Sequence, residues 1–265
     1  VFPIDFGSAH IVADWRRPGA WLLMIDGVAQ SYVDLADPEH LEFVYMRRVA
    51  AVIDAAAPAG RPLRVLHLGG GAYTLPRYVA AVRPGSAQVV IERDAALAAA
   101  VERELPLPAG AGIEVRIDDA RRAVESAPPG GYDLVVADVY EGGRMPGSVA
   151  TAEFAAAAFE VLGPGGTYVV NVTDLPPLAF SRRQAATARS AFPDVCVLAE
   201  PGLLRGRRFG NVVVAARRGP DGLPVARISR HVDATVLHGP DLDEFLAGAR
   251  ALTDAEVTGP LCDPG

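Results

Sequence analysis

The chain predicts an α/β protein, a doubly wound and largely parallel sheet preceded by a small N-terminal β-hairpin region. Three observations carry that prediction. Short unbroken apolar runs at 63–68, 87–91, 113–117, 133–137 and 167–172 alternate with helix-prone segments at 74–82, 94–104, 119–126 and 150–162. Apolar runs of this length are what strands buried on both faces require. The first run feeds directly into Gly69-Gly70-Gly71, and a helix-capable stretch follows. The first sixty residues, by contrast, lack the strand–helix alternation.

Within those sixty residues, apolar runs at 21–25 and 29–33 flank Asp26-Gly27. Asp-Gly suits a tight hairpin turn because both residues tolerate positive φ. Leu41, Val44, Tyr45, Val49, Val52 and Ile53 fall near helical spacing, which predicts a helix over 38–56. The Pro- and Gly-containing stretch 58–62 reads as a linker. Gly163-Pro164-Gly165-Gly166 reads as a helix stop and a turn into the next strand. Apolar runs at 195–199 and 211–216 form a closing antiparallel pair, and a helix is expected over 241–251. The expected division is therefore a hairpin-and-helix region at 1–60, an α/β domain at 61–218 and a tail with a helix at 219–265.

Composition narrows the function. The 265 residues are 50% hydrophobic, enough for one large core. A net charge of −7 leaves no basic field for nucleic acid, and Arg205-Gly206-Arg207-Arg208 reads as a short solvated loop. No apolar run is long enough for a membrane span. Two cysteines, Cys196 in an apolar run and Cys262 near the terminus, have neither metal-site nor redox spacing, and the five histidines form no cluster. The expectations are no metal and a reducing cytoplasm. Trp15 and Trp21 are candidates for packing across a homodimer interface. His67, on a buried strand, reads as a hydrogen-bonded core residue.

The chemistry concentrates at the strand ends. Glycines let a backbone approach a ligand closely, and the helix that follows offers free N–H groups. Glu92 ends the second strand, where a carboxylate can accept from a ribose diol. Asp119 follows the third strand, within reach of an adenine amino group or, equally, as a helix N-cap. Asp138 ends the fourth. In a Rossmann-like sheet these acids face the ligand crevice. The contiguous glycines, followed by Ala72-Tyr73-Thr74, do not match a dinucleotide-binding G-x-G-x-x-G.

From about residue 20 to 216 the chain resembles the spermidine synthase family, within the S-adenosylmethionine-dependent methyltransferase fold. Ile25-Asp26-Gly27-Val28-Ala29-Gln30 is similar to its L-D-G-x-x-Q hairpin. Val65 to Gly71 is similar to the start of V-L-x-I-G-G-G-D-G-G, with Arg77 at the later arginine. Ile91-Glu92-Arg93-Asp94 resembles V-E-I-D, Asp118-Asp119-Ala120 resembles G-D-G, and Tyr132 to Asp138 resembles Y-D-V-I-I-x-D. Thr151-Ala152-Glu153-Phe154 resembles the segment after it. The resemblance implies a seven-stranded methyltransferase-type sheet, a homodimer, and an adenosyl sulfonium co-substrate, S-adenosylmethionine or decarboxylated S-adenosylmethionine. It implies Gly69, Gly70 and Gly71 at the donor tail, Glu92 and Gln30 at the ribose, and Asp119 at the adenine. Asp138 is implied as the catalytic carboxylate.

The departures are equally specific. Ala72 replaces the family's loop Asp, and Tyr73 and Thr74 replace its next two glycines. D-S-S-D-P has become Asp138-Val139-Tyr140-Glu141-Gly142, which nominates Glu141 as a substitute carboxylate and Tyr140 as a hydroxyl donor. Leu41-Glu42-Phe43-Val44-Tyr45 stands where the Y-H-E acceptor motif is expected, and no Y-P-S-G segment occurs near 202. An Asp at 72 would repel the tail carboxylate of S-adenosylmethionine, so Ala72 is expected to relax donor choice. Three activities remain in play for a small-molecule acceptor: aminopropyl transfer with an altered amine site, methyl or other alkyl transfer, and nucleoside binding without catalysis.

Overall fold

A computed structural model describes residues 1–257. Cys262 lies outside the described residues. The chain opens with an antiparallel four-stranded meander, β1 (Phe2–Ile4), β2 (Gly7–Ala13), β3 (Ala20–Ile25) and β4 (Val28–Asp34), in that spatial order. The β3–β4 hairpin turns at Asp26 and Gly27, both at positive φ (48° and 79°). Asp26 also accepts from the Ser8 amide at 2.9 Å and from its hydroxyl at 3.0 Å, tying β2 to the turn. The two strands before the hairpin extend it to a sheet.

Helix α1 (Val44–Ala56) follows. It begins later than the 38–56 pattern suggests: His40 N closes a turn onto Asp37 O at 3.0 Å and Phe43 is extended, while Asp34 holds the turn before them. Its carboxylate accepts from the amides of Ala36 (2.9 Å) and Asp37 (3.0 Å) and binds Arg17.

The alternation then runs as expected: β5 (Arg64–Leu68), α2 (Thr74–Val82), β6 (Ala87–Glu92), α3 (Ala95–Glu104), β7 (Ile113–Ile117), α4 (Ala120–Ser126), β8 (Tyr132–Ala137), α5 (Ala152–Val161) and β9 (Leu162–Asp174). The segment 163–166 makes a bulge inside β9 rather than a turn before it. Tyr132 pairs with Leu162 and Leu134 with Thr167, so two residues of β8 span five of β9. Next come α6 (Ala179–Ala191), β10 (Asp194–Ala199), α7 (Pro201–Leu204), β11 (Gly210–Arg217), α8 (Val225–Arg230), β12 (Thr235–Leu237), α9 (Pro240–Leu246) and α10 (Asp254–Val257). The apolar pattern predicts no element between 172 and 195. Helix α6 packs through small residues such as Ala185 and Ala188, which carry little periodic signal. Helix α9 stops short of 251 because Ala247 and Gly248 turn to positive φ.

The large sheet has the order β12-β10-β11-β9-β8-β5-β6-β7. Strands β7, β6, β5, β8 and β9 are parallel, while β10, β11 and β12 pair antiparallel. Without β12 this is the expected seven-stranded methyltransferase-type sheet, and β12 adds an eighth strand. Alternate residues of the central strands feed opposite cores. Leu66, Leu68, Val135 and Ala137 pack with Phe154, Tyr168 and Phe192 on one face. Val65, Leu134 and Val136 pack with Val49, Ile53 and Val79 on the other. A third cluster joins Leu23 and Val33 of the meander to Val90, Leu97 and Val101, seating the small sheet against β6 and α3. No helix among the described residues is long and apolar enough to cross a membrane.

Cys196 is fully buried, and burial pushes its thiol up to about 12. His67 is also buried, 2.8 Å from the Gln88 carboxamide oxygen, and burial pulls it down to about 4. The folded state therefore refuses a proton that the unfolded chain accepts below its ordinary value of 6.5. Stability falls as pH drops through that window, by roughly 3 kcal/mol at its lower end. Melting curves of His67→Gln between pH 7 and 4 are expected to show a shallower acid decline than the parent.

Candidate active site

The C-terminal ends of β6, β5 and β8 converge on one cavity of about 1240 Å³. Gly69 makes the convergence possible. Its amide donates to Ile91 O at 2.9 Å, and the Asp138 amide donates to Leu68 O at 2.9 Å. Gly69 has φ +90°, and a Cβ there would lie 2.2 Å from the Asp138 carbonyl oxygen. Only glycine lets the two strand ends close to this distance.

Glu92 reaches across from β6. Its Oε2 accepts from the Gly70 (3.0 Å) and Gly71 (3.3 Å) amides, and Oε1 accepts from the Asp94 amide at 3.0 Å. Loop amides and carboxylate thus satisfy each other. Asp94 caps α3 through Leu97 N (2.7 Å) and also accepts from the Asp5 and Phe6 amides (3.1 Å each). Asp5 answers by accepting from Ala95 N at 2.8 Å. This reciprocal cap pins the β1–β2 turn to the domain and sets Phe6 at the cavity rim, where the Arg93 guanidinium lies 3.9 Å from its ring centre.

Asp119 and Gln30 line the same cavity. Asp119 is exposed and caps α4 through Arg122 N at 3.0 Å, so its carboxylate does the helix-capping work that its position also allowed. Its neighbour Asp118 pairs with Arg122.

Asp138 sits at the centre. Asn171 Nδ2 donates to its Oδ1 at 2.8 Å and the Tyr45 hydroxyl donates to its Oδ2 at 3.1 Å. Burial raises its carboxyl above the usual range, and these two hydrogen bonds offset only part of the rise. No cation pairs with it among the described residues. Tyr140 accepts from the Thr173 hydroxyl at 2.7 Å and donates to Asn171 O at 3.1 Å, so its hydroxyl is committed to β9. Burial holds it protonated at neutral pH. Glu141 turns the other way. In a tight turn closed by Arg144, its carboxylate is held by Arg93 at 3.0 and 3.1 Å, on the rim and apart from Asp138.

Ala72 does not face the cavity. It is fully buried in the meander core, with its amide donating to Ser31 Oγ at 3.2 Å. Ala72 therefore has no direct contact with the cavity through which to relax donor choice, because Ser31 and the glycines form the wall there. Tyr73 is buried beneath the loop at φ +60°. Arg77 is likewise internal, bonding Ala72 O at 3.3 Å, Pro106 O at 3.1 Å and Leu105 O. The loop containing Arg208 also reaches the cavity, where this arginine pairs with Glu200.

The sequence analysis assigns no role to Asn171, Asn211 or Arg48, all of which line the cavity. Asn171 does leave a trace, as a polar residue interrupting the apolar run of β9. No cluster of three or more metal-ligating side chains occurs among the described residues.

No protein-family model matches the chain. The polyamine aminopropyltransferase of Vibrio vulnificus (strain CMCP6) is 28% identical over 134 residues, half of this chain and 44% of that protein. The match thus spans less than half of the curated relative. A probable spermidine synthase from Corynebacterium glutamicum ATCC 13032 superposes with a TM-score of 0.87 at 33% identity, covering 96% of this chain and 95% of that one. The chain belongs to the spermidine synthase family. A spermidine synthase solved with the transition-state analogue AdoDATO shares the fold of this family member at 18% identity and a TM-score of 0.64, over 96% of this chain and 80% of that one.

The contact at Gly69 is directly testable. Gly69→Ala must open the β5–β8 junction and hold a positive φ that alone costs on the order of 1–3 kcal/mol. Thermal melting is expected to show a midpoint several degrees lower.

Proposed function

We propose that this family member transfers an aminopropyl group from decarboxylated S-adenosylmethionine to a primary amine oriented by Asp138. Asp138 itself carries the reading: a buried carboxylate, facing the cavity, held by two neutral donors and paired with no cation. Such a group attracts an ammonium and is poised to take its proton. The deprotonated amine attacks the carbon next to the sulfonium. The new C–N bond forms as the C–S bond breaks, the electron pair returns to sulfur as a thioether, Asp138 keeps the one proton taken from the ammonium, and the product leaves as a secondary ammonium.

In this reading the donor takes the other half of the cavity. At about 1240 Å³ the space exceeds an ordinary small-molecule pocket of roughly 300–1,000 Å³, which suits a nucleoside together with an acceptor. In this reading the Gly69–Gly71 loop borders the tail, Glu92 and Gln30 meet the ribose, and Asp119 meets the adenine. Glu92 supports the decarboxylated donor, because its own carboxylate occupies the loop amides. A tail carboxylate entering there would displace Glu92 or face it.

Calorimetry with both donors tests this, and tighter binding of S-adenosylmethionine would overturn the donor assignment in favour of methyl transfer. Glu92→Gln is expected to weaken donor binding about 10- to 100-fold, the size of a lost charged hydrogen bond. Asp138→Asn is expected to lower kcat about 100- to 10,000-fold. The raised carboxyl of Asp138 also fixes a pH signature. The parent should lose kcat/KM on the acid side, with a midpoint above the ordinary carboxylate value, as Asp138 takes up its proton. The folded state favours the protonated form, so stability from this group is lost as pH rises through the folded value. Asp138→Asn should therefore melt higher than the parent at pH 8, with the gap closing as pH falls toward the ordinary carboxylate value.

A further inference from the structure

Arg48 lies on α1, one turn after Tyr45, and is 4% exposed. Its Nη1 donates to Asn211 O at 3.0 Å, and its Nε has no hydrogen-bond partner. Among the described residues no carboxylate forms an ion pair with it. A buried guanidinium ordinarily has a carboxylate beside it, because an unpaired buried charge is expensive. The acid whose charge acts on Arg48 is the exposed Asp233, and Arg208 and Arg47 act against it. Yet Arg48 lines the cavity, on the same wall as Tyr45, Asn171 and Asn211.

Two asparagines connect this cation to Asp138. Asn171 Nδ2 donates to Asp138 (2.8 Å), and Asn211 Nδ2 donates to Asn171 Oδ1 (3.1 Å). Asn211 in turn receives Arg48 on its carbonyl. The acceptor end of the cavity therefore has an unpaired anion at one end of an amide relay and an unpaired cation at the other. A diamine needs a carboxylate at each end. Glu141 is taken by Arg93, Glu200 by Arg208, and Glu42 is exposed beside His40 at 3.2 Å.

We infer that the acceptor is a short ω-amino acid, whose amine meets Asp138 and whose carboxylate meets Arg48. This rests on the aminopropyl-transfer reading and names the substrate class of the same site. The relay crosses from β8 over β9 to β11, and Asn211 pairs with Thr173 rather than with Asn171, so it also runs two residues along the strands. Two inter-strand spacings across and two residues along give roughly 12 Å. Subtracting a hydrogen bond of about 3 Å at each end leaves roughly 6 Å between amine and carboxylate, the separation in an amino acid with about three or four intervening carbons. The transfer step is unchanged: Asp138 takes the ammonium proton, the amine lone pair forms the C–N bond, and the thioether leaves.

The test compares 4-aminobutyrate with putrescine, which have the same chain length but opposite charge at the far end. Product mass is read after incubation with decarboxylated S-adenosylmethionine, and calorimetry is run with 5′-methylthioadenosine present. The parent is expected to prefer 4-aminobutyrate at least tenfold in kcat/KM. Arg48→Met should raise KM for 4-aminobutyrate at least tenfold and shift preference toward putrescine, with Arg48→Lys recovering part of the loss; melting curves report whether each variant folds. Preference for putrescine in the parent, or equal loss for both amines in Arg48→Met, overturns the inference and leaves aminopropyl transfer standing. Nucleoside binding with no binding or transfer of either amine also overturns it. If 5′-methylthioadenosine itself does not bind, the parent reading fails and this one with it.

Discussion

The site depends on a single backbone approach, the passage of Gly69 against the carbonyl of Asp138. Parallel strands splay their C-terminal loops, and a ligand crevice needs those loops close enough to share one space. Here Leu68 and Ile91 supply carbonyls that the Asp138 and Gly69 amides bind, extending the ladder one residue past each strand. A side chain at 69 would wedge that ladder open. With it closed, Gly70 and Gly71 turn their amides toward β6, and Glu92 falls within 3.0–3.3 Å of both. The glycine-loop wall of the cavity follows from β-sheet geometry and one absent Cβ.

Carboxylates of one chemical type acquire separate roles from what surrounds them. Glu92 is anchored by backbone amides, Glu141 by the Arg93 fork, and Asp119 by a helix end. Asp138 receives only neutral donors and suffers desolvation. Its carboxyl is therefore the one driven upward, which makes it the stronger proton acceptor of the set. Tyr45 and Asn171 orient it without neutralising it, and Tyr140 and Thr173 stiffen β9 behind it.

What the sequence makes legible and what it hides divide along a physical line. Gly69–Gly71, Glu92 and Asp138 sit at strand termini, so strand periodicity alone brings them to one edge. Glu141 is only three residues from Asp138, but its carboxylate is captured by Arg93, forty-eight positions earlier in sequence. Proximity along the chain could not reveal that competition. Ala72 looked like a contact residue because it follows the glycines, yet the left-handed turn at Tyr73 tucks it under the loop. Strands β1 and β2 carry too few apolar residues to announce themselves, and α6 buries alanines whose spacing is masked by arginines. Asn171 and Asn211 are single polar residues on apolar strands, meaningful only once β9 and β11 are known to be neighbours.

The two halves of the cavity are therefore constrained unequally. The wall proposed for the donor comes from consecutive strand–loop units, where moving one residue disturbs the sheet ladder. The acceptor wall is assembled from α1, the end of β9, the start of β11 and the loop before it, pieces joined by side-chain contacts such as Arg48 to Asn211. Such contacts can be exchanged without altering strand order or register. An adenosyl-binding half can persist while the opposite wall changes the charge it presents. The missing Y-H-E motif falls on that replaceable side, at the start of α1, and the buried cation stands on the same side. Family membership thus constrains the donor more tightly than the acceptor, because sheet topology holds one wall and side-chain chemistry alone holds the other.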